Sequence, residues 1–284
     1  MTRRTLPART ILVPPPGAEP SAEAEAQFFR GLRLHNGTYK ATGAHRLTDL
    51  DALVAAHLPP PGPLRVLDAA ASSGVTSLEW LDGLRQRGFT VQMTVADLAI
   101  QAWLRRVGPF ELLLDGGGRI LQVALGGQTT FRPDPMARGL RPRTAASLIL
   151  LLERLTPADP ATDRRSRAVS LVSPRLLAEA GVRVMERDLT QPWEDWSASF
   201  EVVRAANFLN LAYFGRETLK RLIRHLARAV VPGGLLAVCR TDSGGDNTAS
   251  LIRVPATSGD SPVVEGRLGA GSEVEALILD VLRR

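Results

Sequence analysis

The sequence predicts an α/β fold: a doubly wound, mostly parallel sheet with a small inserted β/α subdomain. Three observations point there. From residue 64 onward, short apolar runs alternate with segments of helical periodicity, as in parallel sheets covered by helices. Between Asp97 and Asp188 that rhythm breaks for far longer than a crossover helix needs. Inside the break, glycine-punctuated runs read as hairpins.

The elements follow in order. Residues 1–20 are proline-rich and read as a flexible N-terminal segment. "SAEAEAQFFRGLRL" (21–34) reads as a helix: Ser21 caps it, acidic residues fill its first turn, and Phe28, Phe29 and Leu32 form its apolar face. "LTDLDALVAAHL" (47–58) is a second short helix, stopped by Pro59, Pro60 and Pro61. Together, residues 21–63 are expected to form a helical N-terminal lid ahead of a sheet domain spanning 64–284, with an insertion at 108–170.

Within that domain, "LRVLDAA" (64–70) is a buried-type strand, followed by a helix from Thr76 to Arg87. "FTVQMTVADL" (89–98), "GVRVMERDL" (181–189), "FEVVRAANFLN" (200–210) and "LLAVCRTD" (235–242) supply four more strands. Leu219, Leu222, Ile223 and Leu226 mark an amphipathic helix ended by Pro232-Gly233-Gly234. Two further strands and a helix from Ser272 close the chain. In the insertion, residues 110–132 read as two or three strands, and "AASLILLLERL" (145–155) as a very apolar helix. That helix is core packing, a membrane-surface foot or the wall of a greasy tunnel. Arg141, Arg143 and Arg154 beside it suit the latter two.

Composition narrows the function classes. Of the 284 residues, 44% are hydrophobic, enough for a substantial core. The single cysteine, Cys239, cannot form an internal disulfide. No apolar run reaches the ~18 residues of a membrane span, and the N-terminus lacks a signal-peptide core, so a cytoplasmic location is expected. The net charge of +6 comes almost entirely from arginine. Nucleic acid remains possible as a partner but is not indicated, because acidic residues are interspersed and no aromatic–basic ladder appears.

The stretch "DAAASSG" (68–74) between first strand and first helix carries the functional argument. Small residues there let the backbone approach a ligand, and the helix N-terminus favours an anionic group. Asp97, at the end of the second strand, is placed to take two ribose hydroxyls. A nicotinamide dinucleotide is disfavoured, since one glycine stands where that fingerprint wants three.

"VLDAAASSG", "VADL", "ERDLTQP", "FEVVRAANFLNLAYF" and "RLIRHLARAVVPGGLLAV", in that order, resemble the motifs of class I S-adenosylmethionine-dependent methyltransferases. Within that class, "AASSG", "ANFLNLAYFGRET" and the position of the insertion are most similar to chemotaxis-receptor-type enzymes; the insertion's own sequence is not. The resemblance implies a Rossmann-like sheet and S-adenosyl-L-methionine as cofactor. It places Ala70, Ser72 and Gly74 along the methionine moiety, with Asp68 orienting their loop. Asp97 and Leu98 then lie at the ribose, Asp188 and Leu189 at the adenine, and Asn207 and Phe208 beneath the sulfonium. Asn207, Tyr213 and His45 are the candidates at the reacting end. His45 comes from a polar group with Tyr39, Lys40 and Arg46 that either lids the site or is ordinary surface. Asn210 and Tyr213 either face the acceptor or brace their loop. His57 and His225, on helices, read as surface or packing residues, and no metal site is expected.

A small molecule or carboxylate methylated on oxygen is the expected acceptor. Protein or RNA methylation, or cofactor binding without catalysis, are the alternatives.

Overall fold

A computed structural model describes residues 5–35, 37–40 and 43–283. The chain forms two compact units: His45–Leu98 with Glu179–Arg284, and Met1–Ala44 with Ala99–Ala178.

The first unit holds a seven-stranded sheet. Its spatial order is Val182–Glu186, Thr90–Asp97, Pro63–Ala69, Phe200–Ala206, Val230–Thr241, Asn247–Arg253 and Val263–Leu268. The first five strands in that order are parallel and the last two are added antiparallel. This is the doubly wound, mostly parallel α/β arrangement. The antiparallel end follows from chain length. Only a tight turn separates Thr241 from Asn247, in which Asp242 Oδ1 accepts from Gly244 N (2.8 Å) and Asp246 N (3.0 Å). So short a link cannot make a parallel crossover.

Side chains alternate across the sheet. One face presents Leu67, Ala69, Val203, Ala205, Leu236 and Val238 to a core with Leu219, Leu222, Ile223 and Leu226 of helix Arg216–Ala229 and Leu277 and Ile278 of helix Glu275–Leu282. Fully burying each such aliphatic side chain contributes roughly 1.5–3 kcal/mol. The opposite face carries helices Thr48–Ala55 and Val75–Gln86, which touch each other as well as the sheet. The Pro-Gly-Gly segment does not end the preceding helix as expected. That helix stops at Ala229, and the glycines belong to a bulge in the fifth strand. A Cβ on Gly234 would lie 2.8 Å from the Glu201 carbonyl oxygen, so only glycine fits.

The second unit holds a five-stranded antiparallel sheet, ordered Gln128–Phe131, Ile120–Leu125, Phe110–Leu114, Gln101–Val107 and Ser166–Ser170. One face is covered by helices Ala8–Leu12 and Ala22–Gly31 through Ile11, Phe28 and Phe29, with Leu32 just beyond the second helix. The other packs on Ile149 and Leu152 of helix Leu140–Glu153. Gly31 lies against the Phe131 ring, where a Cβ would come within 2.4 Å.

These boundaries correct the expected domain limits. The insertion is not self-contained at 108–170, because its sheet has a bare apolar face that the N-terminal helices cover. Residues 21–63 do not form one lid: helix Ala22–Gly31 serves this small sheet and helix Thr48–Ala55 the large one. Nor is 5–20 simply flexible. Ile11 is fully buried and the Ala8 N–H donates to Gln122 Oε1 at 2.7 Å, while residues 1–4 of that segment lie outside the described residues.

Candidate functional site

In the large sheet the strand order reverses between Pro63–Ala69 and Phe200–Ala206, the switch point where doubly wound sheets open a crevice. Three residues beside it adopt left-handed backbone without being glycine: Ala70 (φ 59°), Ser72 (φ 59°) and Asn207 (φ 58°). Gly74 (φ 74°) continues the pattern and starts helix Val75–Gln86 without a side-chain cap. Left-handed alanine and serine are strained, and such strain persists where surrounding structure holds it for a purpose. Here the Ala71 N–H donates to the Ala96 carbonyl (3.1 Å) and the Ser72 N–H to Asp97 Oδ2 (2.8 Å). The loop is thus tied to the end of the second strand. Ser73 Oγ is buried with no hydrogen-bond partner.

Ala70, Ser72, Gly74 and Asp97 are therefore brought together. Leu98 next to Asp97 is exposed. Asp188 accepts from Thr190 N (2.9 Å) and Thr190 Oγ1 (2.7 Å). Burial alone would raise its pKa, but these bonds hold it below the usual carboxylate range. The Leu189 side chain is buried in the main core, which leaves only its backbone for a ligand.

Asn207 is tied to the adjacent strand. Its Oδ1 accepts from Thr241 N (2.7 Å) and its Nδ2 donates to Thr241 Oγ1 (3.2 Å). Both ends of the amide bond the neighbouring strand, which ties the loop to Thr241. Phe208 packs edge-on against Phe214, with ring centroids 5.6 Å apart. Asn210 is buried and its Oδ1 accepts from Ala212 N (2.7 Å), so it braces its own loop. Tyr213 is exposed. The His45 imidazole is also exposed, with Nδ1 3.4 Å from Glu79 Oε1, and its backbone N–H donates to the same carboxylate. His225 packs against Trp193, and burial lowers its pKa.

Asp68 is held in a buried network. Arg204 on the adjacent strand is its register partner and donates Nε to Oδ1 (3.0 Å) and Nη2 to Oδ2 (2.6 Å), while Ser77 Oγ donates to Oδ2 (2.5 Å). Arg204 also donates Nη1 to Asp51 Oδ1 (2.7 Å) and lies over the Trp80 ring at 4.4 Å. The two carboxylates share one buried guanidinium. Burial pushes the Asp51 carboxyl up to about 6, which the nearby Asp68 reinforces and Arg204 only partly offsets.

Sequence reasoning missed this network. Its signal was an arginine inside the apolar run "VVRAA". Arg46 lies within Coulombic reach of Arg204, Asp68 and Cys239. Its Nε is buried without a hydrogen-bond partner, and burial, with Arg204 adding, lowers its pKa.

A cavity of about 360 Å³ in this unit lies at the opposite, amino ends of the strands, lined by His57–Pro59, Glu201, Val231–Leu235 and Arg253. Among the described residues no group of three His, Cys, Asp or Glu is placed to hold a metal ion, and no helix is long and apolar enough to cross a membrane.

No family model and no curated protein sequence matches the chain. Solved structures align weakly. An S-adenosylmethionine-dependent methyltransferase from Mesorhizobium loti is 16% identical over 70% of this chain and 55% of its own, with a TM-score of 0.31. The N-methyltransferase NodS from Bradyrhizobium japonicum WM9, in complex with S-adenosyl-L-homocysteine, is 12% identical over 70% and 62%, with a TM-score of 0.33. The 1,6-didemethyltoxoflavin N1-methyltransferase from Burkholderia thailandensis is 12% identical over 84% and 66%, with a TM-score of 0.34. The chain spans less than two thirds of each. The fold rests on the strand order described above and not on these alignments.

Proposed function

We propose that the protein is an S-adenosyl-L-methionine-dependent methyltransferase acting on oxygen of a small molecule or carboxylate. The observation that supports this most is the strained small-residue loop Ala70–Gly74, tied to Asp97 beside the switch point. The residues present fit the cofactor. Ala70, Ser72 and Gly74 leave room for the methionine chain, and Asp97 suits the ribose hydroxyls. The uncapped helix N-terminus and the unpartnered Arg46 Nε suit a carboxylate. Asp188 and the Leu189 backbone are assigned to the adenine edge, and Phe208 to the mouth beneath the sulfonium.

When bound, the cofactor supplies an already activated methyl group. The chain's task is then to align acceptor and methyl for in-line displacement. A carboxylate acceptor is ionised at neutral pH and needs no base. For a hydroxyl acceptor, His45 beside Glu79 is the assigned base. Asn207 positions the Phe208 segment through Thr241.

The test is calorimetric titration with S-adenosylmethionine and S-adenosylhomocysteine. It is followed by transfer of a labelled methyl to the small-molecule and macromolecular fractions of a cell extract. Both ligands should bind, Asp97→Ala should cost on the order of 1–3 kcal/mol, and label should enter the small-molecule fraction. Absence of binding would sink the reading. Label found only in protein or RNA would replace the acceptor class.

A further inference from the structure

The smaller unit contains a cavity of about 460 Å³, within the size range of ligand pockets. Its lining is chemically divided. Arg33, Arg119, Arg132, Arg138 and Arg143 contribute five cations against a single lining carboxylate, Asp134. The other wall is apolar, formed by Pro133, Pro142, Ala146, Ile149 and Leu150.

The arginines are poorly neutralised. Among the described residues, Arg132 is the one with a close carboxylate partner, Glu153. The Arg33 Nε is buried without a hydrogen-bond partner and sits 4.0 Å from the Asp134 carboxylate. The Arg119 side chain donates to the His35 carbonyl at 3.5 Å. Arg138 and Arg143 make no ion pair among the described residues. Burial lowers the Arg132 pKa, with Arg119 and Arg33 adding to the effect and the Glu153 and Asp115 carboxylates opposing it. Guanidinium groups match phosphate and carboxylate oxygens by geometry as well as charge. Met136, Leu140 and Leu150 leave large apolar area exposed at and beside the cavity rim. A bare inorganic anion would leave that apolar wall unused, and a neutral apolar molecule would leave the cations unpaired.

We propose that this cavity binds an amphiphilic anion, a phosphate or carboxylate group carried on an apolar chain. The anionic head meets the arginines and the chain lies along Pro142, Ala146, Ile149 and Leu150. The site is built within the smaller unit and does not depend on the methyl-transfer reading. A free molecule and a membrane lipid present the same chemistry, and the two arms of the experiment distinguish them.

The experiment is calorimetric titration of the full chain with decyl phosphate below its micelle-forming concentration, against inorganic phosphate and decanol. Flotation with phosphatidylglycerol and phosphatidylcholine vesicles runs in parallel. Two variants accompany the parent. Arg138→Gln with Arg143→Gln removes exposed charges that no fold contact needs, and Ala146→Trp fills the cavity from its helix. Decyl phosphate should bind at least tenfold more tightly than inorganic phosphate or decanol, and each variant should weaken it at least tenfold. Thermal midpoint and S-adenosylhomocysteine affinity should stay unchanged. Binding confined to phosphatidylglycerol vesicles, and lost in both variants, supports the site with a lipid as its source. Binding of neither probe, binding indifferent to both variants, or inorganic phosphate binding as tightly as decyl phosphate overturns the proposal.

Discussion

Arg204 and Asp68 face each other across adjacent parallel strands, joined by two hydrogen bonds of 3.0 and 2.6 Å, and both side chains are buried. A cation buried among apolar neighbours is tolerated only when paired, and removing one member leaves the other charge stranded. Arg204→Met strands both Asp68 and Asp51 and should cost about 3–5 kcal/mol of unfolding free energy. Adding Asp68→Asn to it should recover part of that loss. Urea denaturation of the single and double variants reads this directly; additive losses would show that the pair is not coupled.

Asp51 carries a pH signature. Its folded pKa, about 6, lies above the unfolded value of 3.8, so the folded state holds the proton more tightly. Its contribution to stability is full below pH 4 and is lost as pH rises through 6. The difference approaches about 3 kcal/mol by pH 7. Asp51→Asn cannot titrate, so its stability relative to the parent should climb between pH 4 and pH 7. Parallel melting curves for the two proteins across that range would refute the shift.

Asn207 is expected to matter for the fold more than for chemistry. Asn207→Ala removes the acceptor for the Thr241 N–H and places alanine at φ 58°, for a loss of roughly 1–3 kcal/mol. Asn207→Gly loses the same bonds but tolerates that backbone, so it should be the milder variant. The reverse order by chemical denaturation would show that backbone strain plays no part.

Cys239 should be inert. It is buried on the fifth strand, and burial pushes its thiol up to about 12, so almost no thiolate exists at neutral pH. Ellman's reagent should find no reactive thiol in the native protein and one per chain in denaturant. Rapid native labelling would place that strand end in solvent.

The sequence by itself determined the alternation of strands and helices, because short apolar runs such as "LRVLDAA" and the period-3.6 spacing of Leu219, Leu222, Ile223 and Leu226 are written locally. It also located the Ala70–Gly74 loop and Asp97, since a cluster of small residues between two apolar elements is visible without any tertiary contact. What it could not carry was partnership. Whether Asp68 meets a ligand or Arg204 depends on strand register across 136 residues, and whether Asn207 faces a substrate or Thr241 depends on which strand lies beside it. The allegiance of helix Ala22–Gly31 was equally hidden. Its apolar face announces burial but not the surface that buries it, and only the tertiary structure assigned it to the smaller sheet. Local periodicity fixes the elements because it arises within a few residues; pairing between distant residues is decided by the packing of the whole unit.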